Sequence, residues 1–145
     1  MKTNLTDSVN ILPTNYHPSD EEPFMNQHQA LYFKKRLLNW REQLLKESTE
    51  TIHHLQEDLQ AEADLVDVAA NEVDRNIELR ARDRERKLIS KIDEALRRID
   101  EGTYGYCDET GEPIGIRRLD ARPIATLSIE AQERHERRER LQRDF

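Results

Sequence analysis

No glycine or proline occurs between residues 26 and 101 of this chain, and leucine or isoleucine recurs every seventh position through its first half. Leu31, Leu38, Leu45, Ile52 and Leu59 form that heptad line, and Leu37, Leu44 and Leu55 widen it. A seven-residue apolar repeat over about four heptads predicts a coiled-coil helix. Asn26 is placed to cap it, with Gln29 three residues on as a capping-box partner. Trp40 is expected at the base of the assembly. The run Ala61–Asp67 interrupts the register. There Asp64 reads as the N-cap of a second helix, and Asp67 as a first-turn carboxylate favoured by the macrodipole. Val66, Val73 and Ile77 continue that helix, and Leu88, Ile92, Ala95 and Ile99 keep one helical face. Between them lies a run of charge, Glu78–Lys87, broken by Leu79.

Two helices of roughly 35 residues each span roughly 50 Å. An antiparallel hairpin turning near residues 61–65 buries both seams most simply, since a short connection favours antiparallel neighbours. A coiled coil between two chains would bury the same seams. The fold class is therefore mainly α: a long antiparallel coiled-coil hairpin over 26–101, its tip near 61–70, and a small lobe with a C-terminal helix over 102–145. Residues 1–25 hold Pro13, Pro18 and Pro23 and no clear period, and read as a flexible arm. In the lobe, Gly102 suits a helix C-cap, Glu109–Pro113 is a turn, and Ile114–Ile116 is expected to pair as a short strand with Thr103–Cys107. The last helix is expected from Pro123 or Ala125, carrying Glu-first i,i+4 pairs such as Glu130–Arg134 and Glu133–Arg137.

Charged residues make up 37% of the 145-residue chain and hydrophobic residues 35%, a balance suited to long solvated helices rather than a large core. The formal net charge of −7 argues against independent binding to duplex DNA, which draws its affinity from phosphate neutralisation. No apolar run reaches membrane-span length and no signal-peptide pattern opens the chain, so a cytoplasmic protein is expected. One cysteine, Cys107, excludes an intramolecular disulfide and any multi-cysteine metal site. No phosphate loop, nucleophile–base pair or metal cage points to an enzyme.

Three stretches carry a resemblance. Asp64-Leu-Val-Asp67-Val-Ala69-Ala70, Glu78–Ile92 and the lobe run Tyr104-Gly-Tyr-Cys107 with Ile114-Gly-Ile-Arg-Arg-Leu-Asp-Ala-Arg-Pro123 resemble the tip, descending helix and zinc-finger region of DksA proteins. The resemblance covers roughly residues 25–135. It implies a non-enzymatic regulator that inserts its hairpin into the secondary channel of bacterial RNA polymerase and acts on initiation with ppGpp. It further implies roles for Asp64, Asp67 and Ala69 at the polymerase active site, for Arg84 at the channel rim, and for Leu88, Lys91 and Arg122 in an alarmone pocket. A family lysine just after the last cysteine is here Gln132. The four zinc cysteines of the family fall on Cys107, Thr110, Ser128 and Ala131, so one thiolate remains and no zinc is expected. Thr110 and Ser128 are expected to hydrogen-bond where the metal would be, over a core of Tyr104, Tyr106, Ile114, Ile116, Leu119 and Leu127. The protein is expected to act as a monomer without membrane contact. A Gre-like transcript-cleavage factor and a plain coiled-coil adaptor are the alternatives.

Overall fold

A computed structural model of the protein describes residues 12–13, 15–62 and 68–144. Four helices follow one another: α1 Gln27–Glu62, α2 Val68–Glu101, α3 Ile116–Ala121 and α4 Ile129–Arg143. No strand is present among the described residues. The chain divides into two compact units: Leu38–Asp93, and a unit made of the segment up to Leu37 together with Glu94–Phe145. The lobe-side ends of both long helices cluster with the lobe, where Phe33 and Tyr104 pack ring to ring at 5.7 Å and both are buried.

In the Leu38–Asp93 unit the two helices run antiparallel. Arg41 Nε donates to Asp93 Oδ1 at 2.7 Å and His54 Nδ1 meets Glu78 Oε1 at 2.9 Å, so numbers rise on one helix as they fall on the other. The seam differs from the expected heptad line. Leu44 and Leu55 are 7% and 9% exposed, whereas Leu38 and Leu45 are 40% and 41% exposed. Consecutive helical residues point about 100° apart, so in a Leu44–Leu45 doublet only one side chain can face a single narrow partner. On α2, Val73 and Ile77 are 59% and 57% exposed, so they do not continue the seam. Ile92 is fully buried, and Leu88 is half-buried.

The second unit begins with the segment read as a flexible arm, and its residues 15–26 are docked. Phe24 packs edge-on against Tyr106 at 5.5 Å, and Tyr16 against Tyr32 at 6.2 Å. The α1 cap forms as expected, with Asn26 Oδ1 accepting from the Gln29 backbone N–H at 2.9 Å. The return bond differs: Gln29 Oε1 accepts from the N–H of Met25, at 2.7 Å. At the end of α2, Gly102 and Thr103 donate their N–H groups to Ile99 O (3.2 Å) and Arg98 O (2.9 Å), the paired bonds of a Schellman motif. The expected strand is reduced to an isolated antiparallel bridge, Tyr106 to Pro113, because Ile116 already opens α3. The last helix starts at Ile129, later than expected, where the Ser128 side chain caps it. Pro123 is instead held in a turn, its carbonyl accepting from the buried Tyr104 hydroxyl at 2.7 Å. In α4 the residue buried is Ala131, and Arg134 reaches Glu109 at 4.0 Å rather than Glu130.

Candidate functional site

Asp64 and Asp67 lie outside the described residues. Ala69 is the second residue of α2 as described, and the expected cap at Asp64 lies outside the described residues. Further along α2, Arg84 and Lys91 are exposed and Leu88 is half-buried. Their i, i+4, i+7 spacing puts all three on one face of the helix. Arg122 closes α3, donating its backbone N–H to Arg118 O at 2.8 Å, and is itself exposed.

The lobe gathers Cys107, Thr110 and Ser128 around one sulfur atom. Burial pushes the Cys107 thiol up, but the Thr110 hydroxyl and the backbone N–H groups of Ser128, Thr110 and Glu109 outweigh it and bring the group down to about 6. The turn supplies these donors because Gly111 N–H returns to Cys107 O at 2.9 Å and Cys107 N–H reaches Glu112 O at 2.8 Å. The Thr110 oxygen also accepts from Glu112 N–H at 3.3 Å. Ser128 Oγ accepts from Ala131 N–H at 3.2 Å, and Ala131 is fully buried. Thr110 and Ser128 thus act on the same thiol, Thr110 through its hydroxyl and Ser128 through its backbone N–H.

The thiol gives a testable pH dependence. Its folded value lies below its ordinary 9.0, so the stabilisation is complete above about pH 9 and is lost as pH falls toward 6. The melting temperature is expected to rise from pH 6 to pH 9, and Cys107→Ser should flatten that rise. A slope unchanged by the substitution would refute the thiolate assignment.

Two family models match the chain. "DnaK suppressor protein DksA, N-terminal domain" covers residues 29–99, and "Prokaryotic dksA/traR C4-type zinc finger" covers residues 102–137. The chain belongs to the DksA family. The protein named "RNA polymerase-binding transcription factor DksA" of Caulobacter vibrioides is 61% identical over 139 residues, covering 96% of this chain and 98% of that one. Its namesake in Haemophilus influenzae is 43% identical over 136 residues, covering 94% and 92%. Among solved structures, transcription factor DksA2 from Pseudomonas aeruginosa superposes with a TM-score of 0.77 at 46% identity, over 86% of this chain and 94% of that chain.

The C4-type finger of the DksA family does not fit zinc in this member. Structural zinc takes four donors, usually thiolate or imidazole. Here one position is an alanine, Ser128 Oγ is occupied as a helix cap, and the Thr110 hydroxyl is directed at Cys107. Among the described residues no cluster of three or more His, Cys, Asp or Glu could hold a metal ion.

Two polar ties that build this DksA lobe were not legible in the residue pattern. Asp120 Oδ1 accepts from Arg36 Nη1 at 2.7 Å and from the Tyr32 hydroxyl at 3.2 Å, and Asp120 O takes a second bond from Arg36 Nη1 at 2.7 Å. His17 Nε2 approaches Asp120 Oδ2 at 3.6 Å. Gln29, fully buried, donates from Nε2 to Ser19 O at 3.2 Å and to Glu22 Oε2 at 3.4 Å. Glu22 Oε2 also takes the Tyr16 hydroxyl at 2.6 Å and Asn26 Nδ2 at 3.2 Å, bonds that hold its carboxyl below the usual carboxylate range. The signal for Asp120 was its place in the Arg-Arg-Leu-Asp-Ala-Arg-Pro run, which marks a lobe position without naming its partner.

Proposed function

We propose that this chain binds bacterial RNA polymerase, enters its secondary channel with the hairpin, and modulates transcription initiation together with ppGpp, without catalysis of its own. The observation that carries this reading is 61% identity across nearly the whole length of a relative named for RNA polymerase binding, hairpin and lobe alike. In the proposed complex Asp64, Asp67 and Ala69 act beside the polymerase active site and Arg84 meets the channel rim. Leu88, Lys91 and Arg122 contribute to the alarmone pocket. A polyphosphate needs fixed cations, which Lys91 supplies as a point charge and Arg122 as a planar fork. Gln132 keeps a donor at the neighbouring family position but adds no charge, which predicts a weaker ppGpp response than a lysine there would give. The proposed work is done without zinc and without sequence-specific DNA contact. No helix of the described residues is long and apolar enough to cross a membrane.

In vitro transcription from a ribosomal RNA promoter tests the whole reading. Repression by the protein, deepened by ppGpp and unchanged by a zinc chelator, is expected. Lys91→Ala should lose the ppGpp increment and keep the basal effect. No effect on the promoter would overturn the reading, and stoichiometric zinc in the purified protein would overturn its metal-free part. Cleavage of backtracked RNA would favour a Gre-like factor instead.

A further inference from the structure

Along α2, two lines of residues compete for the face that meets α1. One takes every seventh position, Ile92, Glu85 and Glu78. The other takes an eleven-residue step, from Leu88 to Ile77. Seven-residue and eleven-residue lines drift in opposite senses around a straight helix, by about 20° per repeat. Lines that run close together at Leu88 and Ile92 are therefore about 100° apart at Ile77 and Glu78.

The described packing follows the sevens, and it inverts the usual placement of side chains. The Oε2 atoms of Glu78 and Glu85 are shut off from solvent with no hydrogen-bond partner, while Ile77 and Val73 face water. Glu78 satisfies only its other oxygen, with His54. From Glu72 to Lys91, α2 has no buried residue. The doubling recurs on α1, where Leu44 and Leu55 are buried, Leu38 and Leu45 are left outside, and Ile52 is half-buried. Local choices that contradict one another in this way mark a frustrated contact with a competing arrangement.

We propose that the Leu38–Asp93 segment has a second packing. In it α2 presents to α1 a line turned by about 100° at Ile77 and by less toward Ile92, so that Ile77 closes against Ile52 of α1 with Val73 on the same face, and Glu78 and Glu85 turn out to water. On α1 each packing buries one apolar line and releases the other, and two packings of one sequence can then interconvert. The exchange converts the outer face of this helix stretch from apolar to acidic. It belongs to the free hairpin and does not require that the chain meet polymerase.

Methyl relaxation dispersion on the full-length protein, labelled at isoleucine and leucine, tests the switch. Ile77 and Ile52 should show exchange on the microsecond-to-millisecond scale, with Ile92, where the two lines run together, as the quiet reference. Glu78→Leu with Glu85→Leu locks the described packing; it should quench the exchange and raise the melting temperature by about 5 °C. Val73→Gln with Ile77→Gln removes the apolar reason for the second packing and should quench the exchange while helix content stays unchanged. A wild-type Ile77 without exchange, a glutamate pair whose replacement brings no stabilisation, or exchange that survives the Val73 and Ile77 substitutions would each overturn the proposal.

Discussion

Gly105→Ala is expected to destabilise the protein by about 2–3 kcal/mol, the sum of a strained backbone and a crowded side chain. Gly105 has φ +89, a conformation that glycine adopts freely and alanine does not. An added Cβ would stand 2.7 Å from Met25 Cε, 3.2 Å from Phe24 Cζ and 3.4 Å from Leu119 Cδ1. The Met25 terminus can swing aside, but the Phe24 ring is held edge-on against Tyr106. Gly102→Ala is the control, because Gly102 has a similar φ of +79 and nothing within 4 Å of the new Cβ. It should cost only the backbone part, about 1 kcal/mol. Chemical denaturation of the two variants side by side gives the difference. Equal losses would mean that Phe24 and Met25 are not docked on the lobe.

Asp67→Asn is expected to weaken promoter regulation about 10- to 100-fold while leaving the fold and polymerase binding nearly intact. The amide keeps the shape and removes the charge, and a hydrogen bond to a charged group is worth about 1.5–3 kcal/mol. This expectation rests on the proposed action of the tip at the active site. Co-purification with core polymerase and run-off transcription on the same variant separate the two parts. Wild-type regulation by the variant would sink the role of Asp67, and lost binding would show that it anchors the complex instead.

The parts of the fold that could be read in the sequence are those set by local physics. The Asn26 cap and the Gly102 stop depend on neighbours within five residues, and both formed as expected. The seam was only half visible. Doublets such as Leu37–Leu38 and Leu44–Leu45 offer two lines with the same period, and the choice between them depends on the facing helix. The start of α4 was misread because Pro123 imitates a first-turn proline, while Ser128 lacks the glutamate three residues on that completes a capping box. The docking of residues 15–26 was missed because its hub, Gln29, resembles any solvated helix residue until its partners are known. At the candidate site, Cys107, Thr110, Ser128 and Ala131 could be picked out only through the resemblance to the family, whose zinc cysteines fall on them. Beside the Thr110 hydroxyl, the donors that lower the thiol are backbone groups, which no residue letter announces.

The Arg36 to Asp120 bond joins positions 84 apart in the chain. The lobe therefore takes its two halves from opposite ends of the polypeptide, and closing so long a loop carries an entropy cost that local helix formation does not. During synthesis Phe33, Gln29 and Arg36 must wait in solution until the ribosome has released Tyr104 and Asp120. A chain cut short before Tyr104 would thus leave Phe24 and Phe33 without their ring partners Tyr106 and Tyr104, and a protease should reach them in the nascent protein long after the intervening helices have formed.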